Sequence, residues 1–169
     1  MTLDRRFFLA AGGRLLAGGG FVALAAAAAR AGAPAAPEQF EFTLDDAQWR
    51  QRLSPQAYAV LRHEATEVPY TSPLNQEHRA GTFSCAGCAL ALFSSTTKFD
   101  SGTGWPSFWQ PLPGAVREHR DVTLGMVRTE VHCRRCGGHL GHVFDDGPLP
   151  TGLRYCMNGV ALSFAPQKT

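Results

Sequence analysis

The pattern of apolar and polar positions changes near Pro69. Ahead of it, residues 45–50 and 56–64 have a helical pattern, and Ser54 followed by Pro55 is a typical helix start, an N-cap and a first-turn proline. After it, Gly, Pro, Asn and Asp separate short segments of β-branched and aromatic residues, which is typical of a series of strands. We therefore predict a short N-terminal helical segment followed by a mainly β domain.

The clearest strand patterns lie near the end of the chain. Apolar and polar side chains alternate over residues 126–133 and 160–165, which predicts strands with one face packed on a core. A strand over residues 153–158 would place Arg154, Cys156 and Asn158 on one face, because successive side chains point to opposite sides. The domain is expected to be mainly antiparallel.

The first 33 residues differ from the rest. Arg5 and Arg6 precede an Ala/Gly/Leu-rich stretch that ends in small residues, as in an export signal, and the paired arginines resemble the twin-arginine type. A membrane anchor is the alternative, but the apolar run at 15–29 has 15 residues, and a spanning helix needs roughly 20. We expect residues 1–33 to be an export signal to the bacterial periplasm, residues 34–41 to be a linker, and the protein to have no stable membrane anchor.

Composition and charge narrow the possible partners. The chain has 169 residues, of which 44% are hydrophobic and 18% charged, and this indicates one folded domain rather than disorder. The net charge is +2, but residues 1–33 carry four arginines and one aspartate, which leaves −1 for the rest. Nucleic-acid binding needs a basic surface, so we expect no nucleic-acid partner.

Four of the five cysteines form two C-x-x-C pairs, Cys85 with Cys88 and Cys133 with Cys136. Two such turns brought together offer the four thiolates that a structural zinc ion binds tetrahedrally. The alternatives are local disulfides, since an exported protein meets an oxidising compartment, or a redox-active thioredoxin-like pair. Two pairs in a β-rich chain fit zinc better than a thioredoxin-like motif, so we predict one structural Zn²⁺.

The fifth cysteine, Cys156, has no partner in this scheme. It is either an inert thiol or a reactive one, and a reactive thiol needs a nearby cation or hydrogen-bond donor. Upstream, His139 and His142 are candidates for this role. They lie three residues apart, so a continuous strand cannot place both on one face unless Gly141 allows a bend.

Three segments carry a resemblance to a known family. Residues 99–108, 138–148 and 152–158 read FDSGTGWPSF, GHLGHVFDDGP and GLRYCMN. They are similar to the B-class peptide methionine sulfoxide reductases, and both C-x-x-C pairs lie where the zinc-binding members of that family carry theirs. The resemblance covers about residues 42–164 and leaves 165–169 as a tail.

The resemblance implies reduction of methionine-R-sulfoxide in oxidised proteins or peptides, on two antiparallel sheets with the zinc away from the active face. It implies the following roles: Cys156 as nucleophile, Trp105 as the surface for the S-methyl group, His139 and His142 as the pair that orients or protonates the sulfoxide oxygen, and Asn158 as a lining residue. Arg154 is either a surface charge or a substrate-site residue that tunes the thiol, and we include it in the predicted site.

One position departs from the family pattern. Many members carry a resolving cysteine where this chain has Thr103, and threonine cannot form a disulfide. After attack, the enzyme thiol ends as a sulfenic acid that a second thiol must reduce. We therefore expect an outside reductant, a thioredoxin-like protein or another thiol, unless a zinc-site cysteine serves at the risk of losing the metal.

Two other functions remain open from the sequence. A zinc-ribbon-like binding module would use the four-cysteine site without catalysis and would carry a basic or aromatic-rich surface. A thiol–disulfide oxidoreductase would use a C-x-x-C pair for chemistry and would not combine stoichiometric zinc with activity.

Overall fold

The structure is a computed structural model and describes residues 38–168. The predicted export signal at 1–33 and the first part of the predicted linker, 34–37, lie outside the described residues. Two helices come first, α1 (Asp46–Arg52) and α2 (Pro55–His63). The strands that follow are β1 (Gly81–Cys85), β2 (Ala91–Ser94), β3 (Lys98–Phe99), β4 (Ser107–Phe108), β5 (Val116–Asp121), β6 (Arg128–Cys133), β7 (His139–Phe144), β8 (Arg154–Met157) and β9 (Leu162–Pro166).

Both helices begin where local sequence predicts. Asp45 caps α1 in a reciprocal capping box with Gln48, and Ser54 accepts a hydrogen bond from the backbone N–H of Ala57 at the start of α2. Pro55 occupies the first turn of α2, where its missing N–H is not needed. Neither helix of residues 38–168 is long and apolar enough to cross a bilayer.

The strands form two sheets, and every pairing is antiparallel. One sheet has three strands in the order β2-β1-β9, and the other has six in the order β3-β4-β8-β7-β6-β5. The prediction of a mainly β fold with two antiparallel sheets and a short N-terminal helical segment is confirmed.

Some boundaries differ from those that the alternation pattern predicts. Val160 lies in a 3-10 turn at Gly159–Ala161, where the N–H of Ala161 donates to the carbonyl of Asn158, so the last strand begins at Leu162. This strand also runs to Pro166, into the predicted tail. At the other end, residues 38–41 of the predicted linker contact the domain: Glu38 pairs with Arg117 and His132, and Glu41 pairs with Arg134.

Aromatic rings fill the space between the two sheets. Phe83 and Phe93 come from the three-stranded sheet and Phe108 from the six-stranded one, and all three are fully buried. The Phe93 and Phe108 rings stack with centroids 4.3 Å apart, and Phe83 meets Phe108 edge-on at 5.0 Å. Burying each ring stabilises the fold by roughly 2–3 kcal/mol. The sheet that carries Cys156 is therefore anchored on a rigid core.

Candidate active site and metal centre

Cys156 lies in the interior of the six-stranded sheet. Its strand, β8, runs between β4 and β7, and Cys156 pairs with Ser107 on one side and His142 on the other. The half-buried thiol lies in the wall of a cavity of about 120 Å³. The cavity is lined by Thr66, Trp105, Arg128, Gly141, His142, Phe144, Cys156 and Asn158. The structure thus brings three of the predicted site residues, Trp105, His142 and Asn158, into one cavity with the thiol.

A β-bulge in β7 brings the two histidines to one side of the sheet. His139 and Gly141 pair with consecutive residues of β6, so Leu140 is left without a cross-strand partner there. His139 and His142 are three residues apart in the sequence, but the extra residue in the bulge makes them two positions apart along the sheet. Side chains two positions apart point to the same face. The His139 and His142 rings accordingly lie 5.4 Å apart.

The bulge also depends on a close approach between β7 and β8. A Cβ atom at Gly141 would lie 2.1 Å from the carbonyl oxygen of Cys156, which is far inside van der Waals contact. Only glycine lets the two backbones meet at this distance. Gly141 therefore provides the departure from a regular strand that the sequence left open, and it does so directly beside the thiol.

His142 is held by a carboxylate. Its Nε2 lies 2.8 Å from Oδ2 of Asp121, the last residue of β5, which leaves Nδ1 for a partner in the cavity. Hydrogen bonds from the Thr123 hydroxyl and backbone N–H, and from His142, hold the pKa of Asp121 well below its usual range. Burial lowers the pKa of His142, and the Asp121 hydrogen bond offsets this only in part. At neutral pH the pair is a neutral imidazole oriented by an ionised carboxylate.

His139 lies behind His142, outside the lining of the Cys156 cavity. It is buried, and its Nδ1 is 2.7 Å from Oε1 of the buried Glu130. Burial acts to raise the pKa of Glu130, but hydrogen bonds from His132 and His139 and the charges of the surrounding histidines outweigh it and bring the pKa to about 2. His139 is therefore placed next to His142 rather than in the lining of the Cys156 cavity.

Trp105 and Asn158 are joined through the backbone of Glu67. The indole Nε1–H of Trp105 donates to the Glu67 carbonyl at 2.9 Å, and the Glu67 N–H donates to Oδ1 of Asn158 at 2.8 Å. The Asn158 amide also donates to the carbonyl of Leu140 at 3.1 Å. Asn158 therefore fixes both the bulge and the segment that holds the indole edge, while the indole face remains available to the cavity.

Arg154 does not line the cavity. It shares one face of β8 with Cys156, but its guanidinium makes two hydrogen bonds to Asp146, at 2.7 and 2.8 Å. These bonds, with a smaller contribution from nearby Cys156, raise the pKa of Arg154. The guanidinium also lies 4.3 Å from the centre of the Phe144 ring, which does line the cavity. Arg154 thus supports the cavity wall.

A chain of hydroxyl groups runs from the thiol to the Trp105 loop. Thr103 Oγ1 lies 3.8 Å from Cys156 Sγ and 2.8 Å from Ser101 Oγ, which is 2.7 Å from Ser107 Oγ. Ser107 donates in turn to the carbonyl of Trp105 at 3.1 Å. Thr103, the position that departs from the family pattern, therefore lies directly beside the thiol.

Two functional candidates were missed by the sequence analysis. Arg128 lines the cavity and pairs with Asp121 at 2.7 Å, and its buried Nε has no acceptor within residues 38–168. Asp121 and Arg128 are opposite each other in the β5–β6 register. A single sequence does not reveal this register, and neither residue lies in a motif that marks chemistry.

The two C-x-x-C pairs converge on one buried four-sulfur cluster. The sulfurs of Cys85 and Cys136 are 3.7 Å apart, those of Cys88 and Cys133 are 3.5 Å apart, and all four lie within 4.8 Å of one another. All four thiols are free, and the short contacts run between the pairs rather than within them. Four sulfurs at about 2.3 Å from a tetrahedral zinc would be about 3.8 Å apart. The two measured distances are close to this spacing, so the four thiols could hold a structural metal ion.

Local turns aim these sulfurs inward. The residue after the second cysteine of each pair, Ala89 or Gly137, has a left-handed backbone, and its N–H donates to the carbonyl of the first cysteine. Gly87, between the first two cysteines, lies beside the cluster: a Cβ there would be 3.6 Å from the Cys85 sulfur and 3.7 Å from that of Cys136. Hydrogen bonds among the thiols and burial raise the pKa of Cys85 and Cys136. A bound cation would offset this by favouring thiolates.

Known proteins resemble this chain over the same region. The SelR domain model matches residues 53–166. A peptide methionine sulfoxide reductase MsrB of Agrobacterium fabrum is 57% identical over 122 residues, covering 72% of this chain and 90% of that protein. Proteins of the same name from Bradyrhizobium diazoefficiens and Thiobacillus denitrificans are 59% and 58% identical over 123 residues, covering 72% of this chain and 88% and 93% of theirs.

Proposed function

This chain belongs to the MsrB family of peptide methionine sulfoxide reductases, and we propose that it reduces methionine-R-sulfoxide in oxidised proteins or peptides by attack of Cys156 on the sulfoxide sulfur. The observation that carries the proposal is the small cavity in which the Cys156 thiol faces Trp105 beside a carboxylate-bound histidine. A cavity of about 120 Å³ suits the end of one side chain.

The overall step transfers one oxygen atom. The thiol R–SH and the sulfoxide become a sulfenic acid, R–SOH, and a thioether, so Cys156 is oxidised by two electrons and methionine sulfoxide is reduced by two. Attack forms a bond between Cys156 Sγ and the sulfoxide sulfur, and the S–O bond breaks as its oxygen takes up a proton and leaves as hydroxide. Hydroxide then adds to Cys156 Sγ, which breaks the bond between the two sulfurs and releases methionine. The site must therefore remove a proton from the thiol and deliver one to the oxygen.

His142 can perform both transfers. Asp121 holds Nε2–H, as in a nucleophile–base–carboxylate arrangement, so Nδ1 presents a lone pair to the cavity. It accepts the thiol proton and then donates it to the departing oxygen. Because burial keeps the pKa of His142 below its usual value, the imidazole is neutral before the step and returns to neutral after it.

Three walls of the cavity can sort the substituents of the sulfoxide sulfur. The methyl group lies on the face of Trp105, since an aromatic face attracts a positively polarised CH₃ group. The oxygen lies towards His142 and Arg128, whose buried Nε lacks an acceptor in the described residues. The methionine stem points to the opening. Because Cys156 fixes the direction of attack, only one configuration at the sulfoxide sulfur fits this arrangement.

The remaining predicted site residues act by positioning. His139 and its partner Glu130 support His142 from behind, Asn158 holds the Glu67 segment against the indole of Trp105, and Arg154 supports Phe144. Each acts through a group that lines the cavity.

Regeneration uses a thiol from outside the chain, such as a thioredoxin-like protein. Thr103 stands 3.8 Å from the catalytic sulfur and has no thiol to offer. The other four cysteines are buried in their own cluster. These two observations support a sulfenic acid that persists until a reductant arrives.

The four-cysteine site holds a structural zinc ion in this proposal. Cys85 ends β1 and Cys88 lies in the turn after it, while Cys133 ends β6 and Cys136 lies in the turn after that, so the ion would join one sheet to the other. A bound ion supplies a crosslink and favours the thiolate forms. The sulfur–sulfur distances of 3.7 and 3.5 Å and the all-cysteine donor set support zinc.

Export to the periplasm is part of the proposal and rests on the pattern of residues 1–33. A twin-arginine route exports folded proteins, so the metal would be loaded in the reducing cytoplasm before the protein meets an oxidising compartment. Cell fractionation of the full chain against a variant with both Arg5 and Arg6 changed to Lys tests it. Equal cytoplasmic retention of both proteins would contradict it.

Turnover of the two epimers of dabsylated methionine sulfoxide with dithiothreitol tests the activity. We expect the R epimer to be consumed and the S epimer to remain. Absence of turnover on both epimers would overturn the proposed function.

A further inference from the structure

A second group of metal-ligating side chains lies on β5 and β6, apart from the four cysteines. It consists of His119, Glu130 and His132, and one ligand atom from each lies within 4.8 Å of the other two. The register of the two strands builds the group. His119 is directly opposite Glu130, and His132 is two residues further along β6, so the three side chains share one face.

The donor atoms converge on one carboxylate oxygen. Oε2 of Glu130 lies 3.4 Å from Nδ1 of His132 and contacts Nδ1 of His119. Ligands of a tetrahedral ion with bonds of about 2.1 Å are roughly 3.4 Å apart. Two imidazole nitrogens and one carboxylate form a common set at zinc sites that keep an open position. The three ligand atoms already lie within 4.8 Å of one another, and the His119 side chain is 55% exposed, which leaves its ring room to adjust.

Outer contacts orient two of the three ligands. Nε2 of His132 is 2.9 Å from Oε2 of Glu38, which leaves Nδ1 aimed at Glu130. The other oxygen of Glu130 is held by His139 at 2.7 Å. A carboxylate on the far nitrogen of a histidine is the usual outer partner at metal sites, where it fixes the ring and makes it a better ligand. The guanidinium of Arg117, which lies opposite His132 in the register, is paired with Glu38, and that of Arg128, which borders the same cleft, is paired with Asp121.

The group is open to solvent. The His119 side chain is 55% exposed, whereas Glu130 and His132 are buried. His119 and Glu130 also border a cleft of about 270 Å³. An ion can therefore enter from the cleft, and water can complete its coordination.

We propose that His119, Glu130 and His132 form a second, exchangeable binding site for one divalent transition-metal ion of the class that prefers imidazole and carboxylate, such as Zn²⁺, Co²⁺, Ni²⁺ or Cu²⁺. The site is separate from the four-cysteine cluster and does not depend on the reductase activity. It would be filled and emptied by the metal concentration around the protein, because one of its three ligands, His119, is exposed to solvent.

Metal counting tests the proposal. The full chain is prepared in a Cys156→Ser background, which removes the one thiol outside the cluster, and Zn²⁺ is titrated against a chromophoric chelator. We expect one tightly held and one weaker equivalent per chain. His119→Gln should weaken the second equivalent more than about tenfold and leave the first unchanged. His78→Gln, which changes another exposed histidine, should alter neither.

Cobalt distinguishes the two sites by their donors. The cluster should give intense thiolate-to-Co²⁺ charge-transfer bands, and a further equivalent of Co²⁺ should add only weak visible bands typical of nitrogen and oxygen ligands. A total of one equivalent of metal would overturn the proposal. So would a second equivalent that His119→Gln leaves unchanged, or one that adds further thiolate bands.

Discussion

Replacing Thr103 with cysteine should let a thiol of the chain itself, rather than an outside reductant, reduce the Cys156 sulfenic acid by forming a disulfide. Thr103 Oγ1 lies 3.8 Å from Cys156 Sγ, and the two residues are 53 positions apart in the chain. The longer C–S bond of a cysteine carries its sulfur a few tenths of an ångström closer, so a shift of roughly 1.5 Å reaches the disulfide length of about 2.05 Å.

The Thr103 loop can supply this shift. Gly102 and Gly104 on either side have left-handed backbones, and Gly102 has open space around its α-carbon. The Gly104 carbonyl accepts from the Tyr70 N–H at 2.7 Å, whereas the Gly102 carbonyl accepts from the exposed Tyr70 hydroxyl, so movement is expected on the Gly102 side, where the bond is open to water. Closing a loop of this length removes unfolded-state entropy worth about 4 kcal/mol. The oxidised Thr103→Cys variant should therefore melt on the order of 10 °C higher than its reduced form.

A single turnover with the R epimer and no reductant provides the assay. In Thr103→Cys, peptide mapping should show a disulfide between residues 103 and 156 and no dimedone adduct. Thr103→Ser is the matched control, because it keeps a hydroxyl group without adding a thiol, and it should behave as the wild type. A Cys156 that stays reactive to dimedone in Thr103→Cys would refute the geometric argument. A disulfide from wild-type Cys156 to a C-x-x-C cysteine, with zinc released, would refute the external reductant.

Three further predictions follow from the fold. Cys136→Ser should lower zinc content and melting temperature together, because metal binding is coupled to folding; elemental analysis that finds no zinc in fresh, reduced wild type would contradict it. The pKa of Glu130 is about 2 in the fold against 4.5 ordinarily. Its ionised form should therefore add about 3 kcal/mol at most to the free energy of unfolding, fully above pH 4.5 and less and less as the pH falls towards 2. Urea unfolding of the wild type and of Glu130→Gln across this range should show the loss, and identical pH profiles would exclude it. Gly141→Ala should reduce kcat/KM more than a hundredfold, since its Cβ would collide with the Cys156 carbonyl, and near-normal kinetics would show that the bulge is dispensable.

Local patterns predict the parts of this protein that local contacts determine. Ser54 and Pro55 mark the start of α2 because capping involves only neighbouring residues, and the C-x-x-C turns are likewise short. The bulge at Leu140 was not predictable, because it depends on how β7 pairs with β6. The same is true of Asp121, which reaches His142 from a strand two positions away in the sheet.

Long-range strand pairing also explains why some predicted site residues line the Cys156 cavity and others do not. Trp105, His142 and Asn158 lie around the thiol, whereas His139 is one layer behind it. Arg154 lies on the predicted face of β8, but its guanidinium is hydrogen-bonded to Asp146. No pattern in the sequence indicates that pairing. Val160 fits an alternating strand by its apolar character, yet the turn at Gly159–Ala161 takes it out of the sheet.

In the proposed reaction the Cys156 thiol takes the oxygen from the R epimer of methionine sulfoxide. The most direct measurement is a single turnover of this epimer by the zinc-loaded chain without reductant, with methionine quantified and the protein trapped by dimedone. The wild type should form one methionine per chain and carry one adduct, on Cys156, while Cys156→Ser should form none and keep its zinc and its folded circular-dichroism spectrum. Methionine formed by Cys156→Ser, or an adduct on any cysteine of the four-sulfur cluster instead of Cys156, would contradict the account.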